Sequence, residues 1–66
     1  MNNIVPIWEK YTLTVEEAAE YFNIGEARIR NLVNENKTAS YVMWKGTRPH
    51  IKRIKFEHYI DSINVI

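Results

Sequence analysis

The chain has 66 residues, of which 45% are hydrophobic and 12% aromatic, so we expect one small folded domain over residues 1–66 rather than a disordered segment. It contains no cysteine, which excludes disulfides and thiolate zinc sites, and its net charge of +1 excludes a uniformly basic surface. No apolar run approaches the ~20 residues of a membrane span and no signal peptide is recognisable, so we expect a soluble, cytoplasmic protein.

The charge is unevenly distributed along the chain. Residues 1–44 carry four basic and six acidic side chains, a balance of −2, whereas residues 45–66 carry five basic and two acidic ones, a balance of +3. All five basic groups of the second part lie between Lys45 and Lys55, in a window without an acid. Such a local patch indicates a specific contact with an anionic partner, and a solvated lysine-rich loop is the alternative.

The first ten residues form a lead-in to the first helix. Ile4, Ile7 and Trp8 are expected to cover one side of the core. Pro6 argues against an interior strand in this segment, because proline donates no backbone hydrogen bond.

A helix is predicted over residues 15–22. Thr14 and Glu17 have the spacing of a capping box, in which each side chain binds the backbone N–H of the other residue. The apolar stripe that follows consists of Val15, Ala18, Ala19 and Phe22. The helix is expected to end at residues 23–25, where Gly25 is free to take a conformation closed to most residues.

A second helix is predicted to begin at Glu26, with Ile29, Leu32 and Val33 on its buried side. Two helices joined by a short turn that contains glycine are typical of a helix-turn-helix. At about 100° per residue, the outer side consists of Ala27, Arg30, Asn31 and Asn34, with Arg28 and Glu35 on its flank. This face is suited to the major groove of DNA, and a plain helical hairpin is the alternative.

A β-hairpin is predicted after a polar loop. Tyr41–Trp44 is β-prone, Lys45–Arg48 is a turn that contains glycine, and Pro49–Lys52 is the returning strand. Pro49 requires a sheet edge or a turn boundary, and Ile51 is expected to face the core. The polar and basic side chains of the tip and the returning arm are Lys45, Thr47, Arg48, Lys52 and Arg53. The sequence therefore predicts an α+β fold, a small winged helix-turn-helix domain with three helices and a two-stranded wing.

The third helix is predicted over roughly Ile54–Ile63, where it closes the core. Its apolar stripe consists of Phe56, Tyr59, Ile60 and Ile63, and the opposite side of Glu57, His58, Asp61 and Ser62. Residues 64–66 are expected to fray.

Residue patterns typical of enzymes are absent from the sequence. His50 and His58 have no second ligand at a metal-site spacing, and a chain with two glycines has no glycine-rich phosphate loop. The acidic residues at 16, 17 and 20 are interpreted as solvated charges that also favour the start of their helix. We therefore expect neither catalysis nor a cofactor nor a metal.

Three segments together resemble the excisionases of conjugative transposons over nearly the whole chain: YTLTxEEA at 11–18, YFxIGE at 21–26 and IKRxxFE at 51–57. The resemblance implies a winged helix related to the DNA-binding domain of MerR-type regulators. It also implies a protein that binds repeats in double-stranded DNA at the ends of the mobile element and bends them. Such a recombination directionality factor helps a tyrosine-family integrase to excise the element.

The resemblance also assigns positions. Arg28 and Arg30 match basic positions of the recognition helix, Arg48 matches a basic residue of the wing, and the pair at 52 and 53 matches the pair that follows it. Asn31 stands where relatives have a second basic residue, and Pro49 where the wing commonly has an ordinary one. A monomer in solution is expected, with several copies able to lie side by side on DNA.

The expected DNA contacts divide between the recognition helix and the wing. Asn31 is expected to bind adenine and Arg30 a guanine or a phosphate, while Ala27 lets the helix approach a thymine methyl. Arg28 is expected to contact the backbone, and Arg48 a narrow minor groove. The full set is Ala27, Arg28, Arg30, Asn31 and Asn34 on the helix, and Lys45, Thr47, Arg48, Lys52 and Arg53 on the wing and after it.

The sequence leaves two alternative functions open. A transcriptional regulator of the same fold would present the same surface to a promoter, and a neighbouring integrase gene would favour an excisionase. A protein-interaction adaptor whose basic face meets an acidic partner would leave no footprint on any duplex.

Overall fold

The computed structural model describes residues 5–65. In chain order its elements are a short 3-10 turn Ile7–Glu9, β1 Thr12–Thr14, α1 Val15–Phe22, α2 Glu26–Glu35, β2 Val42–Lys45, β3 Arg48–Lys52 and α3 Arg53–Asp61. The α+β winged helix with three helices is confirmed, and its sheet has one strand more than the predicted wing. Ile4, expected to cover the core, and Ile66, expected to fray, lie outside the described residues.

Helix α1 has the predicted bounds because its start is specified by local hydrogen bonds. Glu17 donates its backbone N–H to Thr14 Oγ1 at 3.1 Å, and Thr14 donates its own to Glu17 Oε1 at 3.0 Å, which completes the capping box. The other Glu17 oxygen binds Lys10 Nζ at 2.6 Å, and this hydrogen bond lowers the pKa of the carboxyl group more than any other contact. Glu17 was expected to be a solvated charge, but it is half-buried and paired.

The residue that takes the left-handed conformation after α1 differs from the prediction. Asn23 takes the left-handed conformation, with φ 57° and ψ 44°, and its N–H reaches the carbonyl oxygen of Ala19. Gly25 has φ −58° and precedes α2 in an ordinary conformation, so the assignment of the special conformation to Gly25 was wrong. Asparagine is the residue other than glycine that most readily adopts this conformation at a helix end.

The helix-turn-helix is held together by small and branched apolar side chains. Ala18 on α1 is fully buried, and it shares the core with Ile29 and Val33 of α2. Because alanine has a short side chain, α2 can cross α1 closely, while the opposite side of α2 stays exposed.

The sheet is antiparallel, with strand order β1-β3-β2. In the register of the two ladders, Ile51 lies opposite Leu13 of β1 and opposite Val42 of β2. All three side chains are buried, which confirms that Ile51 faces the core. Strand β1 has three residues, too few for an alternation of apolar and polar positions to be recognised in the sequence.

The wing turn consists of Gly46 and Thr47, between the paired residues Lys45 and Arg48. Gly46 has φ +65°, and Thr47 has a negative φ, which is the pattern of a type II′ hairpin turn. Such a turn matches the right-handed twist of the strands, so it fixes the pairing of the two basic residues that flank it.

Pro49 lies in the central strand, where proline is ordinarily excluded. Backbone N–H groups of a strand alternate in direction: Lys52 donates to Tyr41 at 2.7 Å beside β2, and Arg53 donates to Tyr11 at 3.0 Å beside β1. By this alternation the nitrogen of Pro49 points to the β1 side, beyond the last paired residue of that strand, Thr14. Pro49 therefore removes no hydrogen bond from the sheet. Although β3 is the central strand, its β1 side is unpaired at this position, as the sequence required.

The core joins the sheet to all three helices. Its buried residues are Leu13, Val15, Ala18, Ile29, Val33, Tyr41, Val42, Ile51 and Phe56. Phe56 of α3 is fully buried, with ring centroids 4.8 Å from Phe22 and 5.0 Å from Tyr41 in edge-to-face arrangements. No helix in the described part of the chain is long and apolar enough to span a membrane.

The structure corrects two further predictions, one about Trp8 and one about the bounds of α3. Trp8 is 63% exposed and does not cover the core, whereas Ile7 does, because neighbouring side chains of a 3-10 turn point in different directions. Helix α3 begins one residue earlier and ends two residues earlier than predicted. Ser62 donates both its N–H (3.1 Å) and its hydroxyl (2.6 Å) to the carbonyl of Tyr59, and this closes the helix before Ile63.

Candidate nucleic-acid interface

The outer face of α2 is exposed along its length. Ile29 and Val33 lie fully inside, so the residues half a turn away point to solvent. The structure places all five helix residues that the sequence singled out on this exposed surface: Ala27, Arg28, Arg30, Asn31 and Asn34. Small, amide and guanidinium side chains thus form one accessible row on a helix of a size that the major groove admits.

Arg30 is held in place by its own helix. Glu26 Oε2 accepts two hydrogen bonds from it, one from Nε at 3.1 Å and one from Nη2 at 2.7 Å. Both side chains are about half exposed, so the pair lies at the surface of α2 rather than in the core. The contact uses one edge of the planar guanidinium group and leaves the edge formed by Nη1 and Nη2 free to donate.

A cleft of about 320 Å³ joins α2 to the wing. It is lined by Thr14, Val15 and Glu16 at the start of α1, by Arg30 of α2, and by Arg48, Pro49 and His50 of β3. Arg30 and Arg48, which are 18 positions apart in the sequence, therefore belong to one concave surface. The capping box at Thr14 and the hairpin turn determine where the two walls of this cleft stand.

His50 lies half-buried in the same cleft. Burial lowers its pKa most, the charge of Lys45 lowers it further, and the charge of Glu17 opposes the shift. The pKa of His50 is thus held below its ordinary value, in surroundings that are already positive. The sequence analysis interpreted His50 as a lone surface histidine. The strand alternation places it on the same face as Arg48, and the sheet register places it opposite Thr14.

The wing presents its cations on one side. Arg48, His50 and Lys52 alternate with the buried Ile51, so their side chains share the sheet face that points away from the core. Lys45 lies directly opposite Arg48, and like charges in this position destabilise a hairpin. No acidic partner of Lys45, Arg48 or Lys52 is present among residues 5–65. This uncompensated repulsion between Lys45 and Arg48 favours an anionic ligand. Thr47 completes the exposed tip.

Arg53 has a different environment from the other basic residues of this region. It is the first residue of α3, its side chain is 16% exposed, and its Nε donates to the carbonyl oxygen of Lys10 at 2.9 Å. Its Nη1 lies 3.3 Å from Glu57 Oε2, and its guanidinium carbon lies 5.9 Å from the ring centroid of Tyr21. The Tyr21 hydroxyl also donates to Glu57, at 2.9 Å. The geometry therefore favours a role in attaching α3 to the lead-in and to α1.

The structure adds Glu26 and His50 to the surface predicted from the sequence. The spacing of Glu26 and Arg30, four residues apart on one helix, was the signal that could have identified the first. For His50, the alternation of the predicted strand placed it with Lys52 on the side opposite Ile51, and only the strand pairing sets Thr14 beside it. No group of side chains in the described range could hold a metal ion.

The comparisons with known proteins agree with this architecture. The family model described as "Excisionase from transposon Tn916" matches residues 1–66. A relative from Streptococcus agalactiae serotype V, with the same description, is 52% identical over 62 residues, which are 94% of this chain and 92% of the relative. Excisionases are accessory factors of recombination. The chain therefore belongs to the family of excisionases from transposon Tn916.

Proposed function

We propose that the chain is an excisionase that binds double-stranded DNA at the ends of a mobile element and bends it, so that an integrase can excise the element. The family supports a role in excision, and the exposed basic surface formed by α2 and the wing supports a direct contact with DNA. The observation that carries the proposal is that Arg30 of α2 and Arg48 of the wing line one cleft. With α2 in one groove of a duplex, the wing can contact the DNA beside that groove.

The proposed docking puts α2 in the major groove. Asn31 offers an amide that can bind adenine through two hydrogen bonds, and Arg30 offers two donors to guanine. Ala27 is small enough for the helix to seat closely, and Asn34 extends the polar row by one turn. Arg28, on the flank, is proposed to bind a phosphate, which fixes the register without reading sequence.

The wing is proposed to occupy the adjacent minor groove. Arg48 at the tip is placed to enter a narrow groove, where the negative potential is strongest, and Lys45 and Thr47 flank it. Lys52, half-buried at the base of the wing, is proposed as a phosphate contact. Arg53 is proposed to support the position of this base rather than to touch DNA, since its Nε and Nη1 already donate to protein acceptors.

The partners follow from this role. The chain supplies DNA geometry, while a tyrosine-family integrase supplies the chemistry of strand exchange, so we expect neither a cofactor nor a membrane contact. One winged-helix domain acts as a monomer in solution, and several copies occupy neighbouring repeats. The site of action is the cytoplasm, where the element's DNA lies.

Footprinting on the DNA ends of the element that encodes the chain tests this proposal. We expect protection of a discrete segment by the wild-type chain alone, and an excision product only when integrase is added to the same reaction. A chain that protects no duplex, with or without integrase, would contradict the proposal and favour an adaptor between proteins.

Bending is tested separately by circular permutation of the protected segment. The Arg48→Ala variant should bind with a smaller bend angle, because it loses the tip contact in the minor groove. Lys55→Ala, which removes an exposed cation of α3 outside the cleft, is the matched control and should leave the angle unchanged. An equal bend angle for Arg48→Ala and the wild type would remove the wing from the bending mechanism.

A further inference from the structure

The acidic residue at the start of the proposed reading helix is at first sight misplaced. Glu26 is exposed on the first turn of α2, beside the surface that faces the phosphates in the proposed docking. A carboxylate close to DNA phosphates opposes binding by charge alone. A purely electrostatic surface would therefore be improved by its removal, and its position invites a different explanation.

The hydrogen bonds of Arg30 supply that explanation. Glu26 Oε2 binds Nε at 3.1 Å and Nη2 at 2.7 Å, so the carboxylate holds the side-on edge of the guanidinium plane. The end-on edge, formed by Nη1 and Nη2, remains free and is the fork that matches O6 and N7 of guanine. A phosphate contact depends less on a fixed plane, because a lysine can also bind phosphate as a point charge.

We propose that Glu26 is a positioning residue for sequence recognition, which fixes the Arg30 guanidinium so that its free edge reads a guanine in the major groove. This inference rests on the proposed function, since it assumes that α2 enters DNA. The pair with Glu26 restricts the arginine side chain before binding, so less conformational freedom is lost when the base contact forms. The cost is weaker binding to DNA of any sequence, through the repulsion between the carboxylate and phosphates.

The chain offers a matched control for the charge effect. Glu35 is exposed at the other end of α2, carries the same charge, and forms no ion pair within the described residues. Replacing either glutamate by alanine removes one negative charge from the same helix. Only the replacement of Glu26 also releases Arg30.

The test uses a duplex that the wild-type chain enriches from a random-sequence pool and a shuffled duplex of the same composition. The measured quantity is the specificity ratio, the Kd for the shuffled duplex divided by the Kd for the enriched one. We expect Glu26→Ala to lower this ratio about twofold, the size of effect expected from an exposed ion pair between residues four apart on a helix. Glu35→Ala should strengthen binding to both duplexes about equally and leave the ratio unchanged.

A double variant separates positioning from a structural role of Glu26 at the helix start. In an Arg30→Ala background, which itself lowers the ratio, adding Glu26→Ala should leave the ratio unchanged because no guanidinium remains to be positioned. Unchanged far-UV circular dichroism of each variant establishes that the fold is retained.

The outcomes distinguish this inference from the function on which it rests. If the wild type enriches no sequence, the proposed DNA recognition fails and the inference fails with it. If Arg30→Ala lowers the ratio but Glu26→Ala does not, DNA recognition stands and only the inference is overturned. An equal loss of ratio when Glu26→Ala is added to Arg30→Ala also overturns it, since Glu26 would then act independently of Arg30.

Discussion

The four arginines of the chain lie in four different environments, and these environments set what each side chain can do. Arg28 is exposed on the flank of α2, Arg30 is paired with Glu26, Arg48 stands at the wing tip, and Arg53 is enclosed by protein acceptors. By charge alone, the four arginines are equivalent. Their hydrogen bonds separate an arginine suited to reading a base from those suited to phosphates and from one that supports the fold.

On α2, the residue proposed to read a base and the residue proposed to bind a phosphate are different. Asn31→Ala should reduce discrimination between sites, with a cost of about 1–3 kcal/mol on the enriched duplex and little on a shuffled one. Arg28→Ala should instead weaken binding to both duplexes alike, because a phosphate contact carries no sequence information. Titrating both variants against both duplexes measures this difference. If neither substitution changes either affinity, the docking face is wrong.

His50 makes two opposite pH dependences testable. Its pKa is lowered in the folded chain, mainly by burial, so below about pH 6.5 the unfolded chain takes up the proton first and fold stability decreases. DNA phosphates near the cleft would favour the protonated form, so binding should take up a proton and strengthen as pH falls over the same range. Urea unfolding and DNA titration at several pH values measure the two effects.

The controls for this prediction are two substitutions of histidine by glutamine. His50→Gln should flatten both pH dependences, whereas His58→Gln, on the exposed side of α3, should leave them in place. A DNA affinity with the same pH dependence in His50→Gln and the wild type would place His50 away from the phosphates.

At the scale of elements, local signals and long-range pairing differ in how far the sequence reveals them. Helix α1 was predictable to the residue because its capping box lies within four consecutive positions. Strand β1 was not, since its identity depends on pairing with β3, nearly 40 residues later in the chain. The left-handed residue at the end of α1 was assigned to glycine by propensity, although the end of the helix required it at Asn23.

The attachment of α3 gives a prediction about stability. Arg53→Ala should lower the free energy of unfolding by about 1–2 kcal/mol, because its hydrogen bonds to Lys10 and Glu57 are partly buried. Urea unfolding measures this, with Lys55→Ala, an exposed cation of the same helix, as the control. If Arg53→Ala keeps the stability of the wild type but weakens DNA binding as Arg48→Ala does, Arg53 belongs to the interface after all.

On the scale of the whole molecule, the fold places α2 and the basic wing on a body with extents of 40 × 26 × 19 Å. Because Arg30 of α2 and Arg48 of the wing line one cleft, the two elements can contact neighbouring parts of one duplex. The sequence predicted this arrangement because the helix-turn-helix and the hairpin are each local motifs. Which charged side chains face DNA was less predictable, since the contacts of Arg53 and Glu26 form only in the folded chain.

The salt dependence of DNA binding tests the central claim most directly. The proposed interface contains five basic side chains, Arg28, Arg30, Lys45, Arg48 and Lys52, which bring about five positive charges close to the phosphates. Neutralisation of about five phosphates predicts a slope near −4 to −5 for log Kobs against log salt concentration. Binding of the wild-type chain to the duplex it protects, measured from about 50 to 200 mM salt, should follow this slope. A flat dependence would contradict recognition of DNA by this surface.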